Sequence, residues 1–451
     1  MQKIIKFLTA GNVDDGKSTL IGRLLHDTDS LYQDQIDEVK NSTDANFDGE
    51  LDFSLFLDGL ISERAQKITI DVAYRYFTHQ NVKFIIADAP GHEQYTRNMA
   101  VAAANSDNII ILIDASKGVK TQTIRHSYIA NLFGIKNVII AVNKMDLVNF
   151  DLEVFDNIKK TYLEKISELH FDNVEFVPIS AKKGINIAQK TDEISWYKGE
   201  SIIDYLLNFE VKEKNKNLLR LQIQSLAKNG NKRYYQGFLG NGSIKIDDEI
   251  IAYPAKKSAR IIEINHAGKE VEKANSESSV SIVLDNEIDI DRGSLLVNSG
   301  NLPYFSNHFG AHVIWFSPEK FNENYSREFL IKINHNYCRT KIDKINYVID
   351  AEKLGNSKDA KSYVNEIHLN QIANINLKLA SETAFDLFET NNKTGSFLLI
   401  NKETNETIAC GVITSFLEKK DEVRTNQEQF LAELSDLVKK YFGDKNTDFS
   451  I

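Results

Sequence analysis

Eight residues near the start of the chain, Gly11-Asn12-Val13-Asp14-Asp15-Gly16-Lys17-Ser18, followed by Thr19, fit the spacing GxxxxGK[ST]. That spacing is suited to phosphate chemistry. Its glycines let the backbone wrap tightly enough for N–H groups to converge on phosphate oxygens. A helix starting near Lys17 turns its positive dipole end toward the same point. Lys17 is then placed to reach the β- and γ-phosphates, and the Ser18 hydroxyl to bind Mg²⁺. Asp88-Ala89-Pro90-Gly91 supplies the other half of such a site. Asp88 would hold the metal through a water, and the Gly91 amide would sense the γ-phosphate. DxxG alone is a weak signal. Here it follows the apolar run 83–87 at the right distance after the phosphate loop.

The base is read further along. Asn143-Lys144-Met145-Asp146 follows the apolar run 137–142. A carboxylate at Asp146 can accept two hydrogen bonds from guanine, at N1–H and the 2-amino group. Adenine lacks both donors and would leave the acceptor buried and unpaired, a discrimination worth about 10⁴-fold or more. The Lys144 stem can lie along the base plane, and the loop Ser180-Ala181-Lys182 can bond guanine O6 through its backbone. GTP is therefore expected rather than ATP. Between the two phosphate elements, Thr69 is the candidate to complete the Mg²⁺ shell, since it sits in an Ile-Thr-Ile turn. His92, directly after the DxxG element, occupies the position where a water-orienting residue is needed. An ordinary surface or core histidine is the bland reading for most of the ten histidines.

These loops need elements to hold them. Across residues 1–210, short β-branched runs at 3–11, 83–91, 108–116, 137–146 and 174–183 alternate with stretches of helical spacing at 16–27, 122–135 and 153–170. That alternation predicts an α/β P-loop GTPase domain, with a mainly parallel sheet, helices on both faces and ligands at the carboxyl ends of the strands. The charged stretch 211–217 reads as a linker. Short strands separated by Asn, Gly and Asp turns follow, predicting a β-barrel domain over 218–305 and a second barrel or sandwich over 306–417. In the tail, 418–451, Thr425 to Glu428 fit a capping box, and Phe430, Leu431, Leu434, Leu437, Val438 and Tyr441 share one helical face. A helix packed on its own barrel and a partner-binding helix both remain open.

Composition narrows the function classes. The 451 residues are 42% hydrophobic with a formal net charge of −10, which argues against a general nucleic-acid binder. Mean hydropathy is −0.33, and no run approaches the ~18 apolar residues of a membrane span. The start runs straight into the phosphate motif without an apolar signal core, so no cleaved leader is expected. Two cysteines, Cys338 and Cys410, form no CxxC pair. A cytoplasmic setting is expected, with neither a disulfide framework nor a zinc site.

At these residues the chain resembles the translational GTPase superfamily, the group of elongation factor Tu. It is more similar to one branch, the large GTP-hydrolysing subunits of bacterial sulfate adenylyltransferases. The segments 12–28, 68–77, 88–100, 142–148 and 286–297 carry that resemblance, which covers the chain to about residue 415. It implies a heterodimer in which a separate small subunit condenses ATP with sulfate, driven by GTP hydrolysis on this chain. It also implies that Val13 and Ile68 are the apolar pair flanking a catalytic His92. One phosphate motif and no second nucleotide motif agree with an adenylyl-transfer site on another chain. The tail is too short for the fused adenylylsulfate kinase that some relatives carry.

Three departures from the pattern stand out. Lys67, after Gln66, replaces a usual Gly, which would suit a crowded or positive-φ backbone that Lys resists. Ala89 replaces a more frequent Thr, and the first barrel is short around 229–243. The competing reading is a translation-factor-like GTPase acting on the ribosome or RNA. It calls for basic surfaces, and the modest candidates at 231–235 and 254–260 read as solvated turns.

Overall fold

A computed structural model describes residues 3–31, 33–34, 36–37, 52–56, 71–209, 217–324, 327–349 and 361–417. Six strands form the first sheet: β1 Ile4–Ala10, β2 Ala73–His79, β3 Val82–Asp88, β4 Asn108–Asp114, β5 Asn137–Asn143 and β6 Asn173–Pro178, in the order β2-β3-β1-β4-β5-β6. All neighbours are parallel except the edge pair β2–β3. β4 and β5 are buried at every position, which is why they read as unbroken apolar runs rather than alternating ones.

Helices cover both faces of this sheet. On one side α1 (Lys17–Asp27) buries Leu20, Ile21 and Leu24 against Phe7 and Phe84, joined by α5 (Ile202–Asn208). On the other lie α2 (Thr96–Ala104), α3 (Thr121–Leu132) and α4 (Leu152–Lys165). Asp151 caps α4 by accepting from the N–H groups of Glu153 and Val154. Strand β2 and helices α2 and α5 lay outside the sequence expectations. α2 is alanine-rich, and β2 exposes Tyr74 and Tyr76 on the sheet edge, so neither carries a strong apolar period.

The two later regions are closed six-stranded antiparallel barrels. The first runs around Arg220–Asn229, Lys232–Asn241, Ser278–Leu284, Lys257–His266, Glu249–Tyr253 and Leu295–Val297, back to its start. A turn at Asp247, φ +70°, separates the short strand Ser243–Lys245 from Glu249–Tyr253. The second ring is Tyr304–Trp315, Ile372–Phe385, Asn336–Ile349, Glu328–Ile333, Ser396–Asn401 and Thr407–Phe416. This closure decides for a barrel over a sandwich. The helix expected in 418–451 and nearly all of the linker at 211–217 lie outside the described residues. Among the described residues no helix is long and apolar enough to cross a membrane.

The second barrel docks on the GTPase domain. Ile314, Phe316, Ile372 and Cys410 join the same core as α2 and α3. Arg97 of α2 donates to the Thr407 carbonyl at 2.8 Å and lies over the Phe316 ring. The barrels are locked to each other by Arg220, which forms a bidentate pair with Asp386 at 2.7 and 2.8 Å, both groups buried.

Candidate guanine-nucleotide site

The phosphate loop begins where β1 ends, with Ala10 and Gly11 buried. Asp14 (φ +70°) and Gly16 (φ +93°) take left-handed conformations, so the chain doubles back before α1 starts at Lys17. Gly16 at the N-cap offers no side-chain hydrogen bond, and the first turn of α1 holds no acidic residue. That is the arrangement an anion needs. Asp15 turns inward: Oδ2 accepts from the Asn12 backbone N–H at 2.9 Å and from Asn12 Nδ2 at 3.0 Å. Gly91 abuts the same loop, and a Cβ there would fall 2.2 Å from the Gly11 carbonyl oxygen. The backbones of the two phosphate elements thus touch. Buried Asp88 closes β3 and forms an ion pair with Lys17.

The loops after β5 and β6 are tied to this cradle by Asn143. Its Nδ2 donates to the Asp15 carbonyl at 2.8 Å, while its Oδ1 accepts from the Ala181 N–H at 2.9 Å. One buried amide therefore clamps three loops. Lys144 is left-handed (φ +61°), and its Nζ lies 2.9 Å from Asp114 Oδ2. Burial works to raise the Asp114 pKa, but hydrogen bonds from Ser116 and Lys144 outweigh it and hold the carboxyl below its ordinary value. Met145 is buried beneath the loop and Asp146 is half-buried above it. Ser180 and Ala181 are buried and Lys182 is exposed, its carbonyl accepting from Arg23 at 3.3 Å. His92 is exposed, and its Nδ1 accepts from the Gln94 N–H at 3.3 Å.

Residues 2–226 match the family model of the elongation factor Tu GTP binding domain, and residues 308–414 that of the GTP-eEF1A C-terminal domain-like family. The chain is 41% identical to sulfate adenylyltransferase subunit 1 of Saccharophagus degradans, over 98% of this chain and 93% of that protein. The subunit 1 of Shewanella woodyi is likewise 41% identical, over 97% and 93%. The chain belongs to the sulfate adenylyltransferase subunit 1 family. A crystal structure of sup35 complexed with GDP aligns with 93% of this chain and 95% of that one, at 18% identity and a TM-score of 0.42. The fold assignment rests on the sheet order and barrel closure instead.

The residues this family member presents fit a nucleotide and a divalent cation. Lys17 stands at an uncapped helix start, and the Asp88 carboxylate and Ser18 hydroxyl are hard oxygen donors of the kind Mg²⁺ takes. Gly11, Asn12, Val13, Asp14, Asp15, Gly16, Lys17, Ser18 and Thr19 fall at one strand end; Asp88, Ala89, Pro90, Gly91 and His92 follow its neighbour in the sheet. Asn143 to Asp146 and Ser180 to Lys182 follow β5 and β6. Thr69, with Ile68 and Lys67, lies outside the described residues, and Val13 is exposed. Sequence reasoning passed over Asp114, Arg23, Gln94 and Lys120. Asp114 carried a usable signal: it ends a buried strand in register with Asn143.

Proposed function

We propose that this chain is the GTP-hydrolysing subunit of a sulfate adenylyltransferase, coupling GTP hydrolysis to the condensation of ATP with sulfate on a partner chain. The observation that carries this reading is the 41% identity, over 98% of the chain, to a protein named sulfate adenylyltransferase subunit 1. The partner is a small adenylyl-transferring subunit, in a heterodimer or a higher oligomer, and the setting is cytoplasmic. Adenylyl sulfate and pyrophosphate are its products. Bound GTP with Mg²⁺ supplies the free energy for that unfavourable condensation.

This chain's residues divide the work. Asp146 selects guanine, with the Ser180 to Lys182 loop bonding O6. The phosphate loop and Lys17 hold the phosphates, and Ser18, Thr69 and Asp88 hold the metal. Lys17 and Asp88, now paired, are opposite in charge to phosphate and cation respectively, so each has a natural ligand-bound partner. With Nδ1 of His92 engaged by the Gln94 N–H, Nε2 is the ring atom left to orient the attacking water. Val13 and Ile68 form the apolar pair flanking that histidine.

The test is co-expression with the small subunit and an assay of adenylyl sulfate from ATP and sulfate, with and without GTP. GTP is expected to raise the yield. His92→Ala should abolish the gain while keeping GTP bound, with hydrolysis slowed about 10²–10⁴-fold. Failure of a complex to form, or an active complex whose yield ignores GTP, would return the chain to a GTP switch with some other partner.

A further inference from the structure

Asp15 places a carboxylate inside an anion-binding loop, and it is only 1% exposed. A buried negative charge there opposes every phosphate that enters unless it is paired and hydrogen-bonded. Asn12 satisfies Oδ2 through two hydrogen bonds. The charge itself is met from far away in sequence: Lys120 Nζ lies 3.3 Å from Oδ1. Lys120 is the N-cap residue of α3, and its backbone N–H donates to Thr123 Oγ1 at 3.3 Å. Thr123 Oγ1 also receives Asn12 Nδ2 at 3.5 Å. The Asp15 carbonyl is meanwhile held by Asn143. Around the loop the carboxylates Asp14, Asp15 and Asp88 stand with two lysines, Lys17 and Lys120.

We propose that Lys120 is a specificity-determining residue for the phosphate chain of the nucleotide, acting by neutralising Asp15. Without it, the Asp15 carboxylate would keep its Asn12 hydrogen bonds but lose the lysine that meets its charge. Repulsion between Asp15 and the ligand grows with each phosphate charge, so the effect ranks GTP above GDP and leaves the nucleoside untouched. Lys120 acts through Asp15 and is a positioning residue, not a catalytic one. The inference rests on the proposed GTP reading and refines it.

The experiment measures affinities of the full chain for GTP, GDP and, by competition, guanosine. Wild type is compared with Lys120→Met, Lys120→Arg and the double variant Asp15→Asn/Lys120→Met. Lys120→Met is expected to weaken GTP about tenfold or more, equivalent to ~1.4 kcal/mol, GDP less, and guanosine within about twofold. Lys120→Arg should retain affinity, and the added Asp15→Asn should recover most of the loss. Wild type failing to bind GTP would sink the nucleotide reading itself. Wild type binding normally while Lys120→Met weakens all three ligands equally, weakens none, or gains nothing from Asp15→Asn would overturn the role of Lys120 alone.

Discussion

Single residues set the selectivity and the acid limit of this protein. In the proposed reading Asp146 offers a carboxylate to two guanine donors, so Asp146→Asn should cost GTP affinity about 10³-fold or more. Xanthine has a carbonyl where guanine has its 2-amino group, and an asparagine amide can donate to it. The variant should therefore gain affinity for XTP, measured by competition between the two triphosphates. A second expectation concerns two buried histidines. Burial pushes the pKa of His126, faced by Arg125 and Lys17, down to about 4, and that of His312, bonded to Tyr347 and faced by Lys361, down to about 4. Both stay neutral in the fold, whereas the unfolded chain takes up their protons below 6.5, the ordinary histidine value. Their stabilisation is whole above pH 6.5 and drains away as pH falls toward 4, by up to ~3 kcal/mol each. Urea midpoints read between pH 7.5 and 5 should fall less steeply in His126→Gln/His312→Gln than in wild type.

At the scale of elements, the site is made by turns that follow strands. Gly16 joins β1 to α1 at φ +93°, and a Cβ on it would sit 2.3 Å from Asn143 Nδ2. Gly16→Ala adds left-handed strain and pushes away the amide that clamps the Asp15 carbonyl. Together these cost about 2–3 kcal/mol, or roughly 10²-fold in nucleotide affinity. A nucleotide titration of the variant reads this directly. The loops proposed for phosphate and base could be picked out in sequence because each depends on residue type at short spacing beside a buried strand. Helix α2 and edge strand β2 could not. α2 is held by neighbours distant in sequence, the barrel carbonyl of Thr407 and the Phe316 ring, while β2 pairs with adjacent β3 as an edge hairpin whose exposed tyrosines blur its apolar period. The inter-loop clamp was equally hidden, since Asn143 alone does not reveal that it reaches Asp15 and Ala181.

At the scale of the whole molecule, the buried Arg220–Asp386 pair joins the two barrels. Asp386 also receives Asn391 and Thr394, and Arg220 bonds the carbonyls of Leu219 and Asn301. Arg220→Met strands a buried carboxylate and should destabilise the protein by about 3–5 kcal/mol. Adding Asp386→Leu should restore part of that in urea denaturation, because replacing both charges removes the unpaired one. By itself, the sequence determined the class, an α/β domain with antiparallel barrels after it, and it marked out the loops proposed for phosphate and guanine. Those features are local, encoded by glycines, hydrogen-bonding side chains and apolar periods within about twenty residues of each other. The tertiary structure decided which charges meet, as in Lys120 with Asp15 and Arg220 with Asp386, and that the second barrel seats on α2 and α3. Such pairings depend on strand order and barrel closure, which bring together side chains that no spacing along the chain connects.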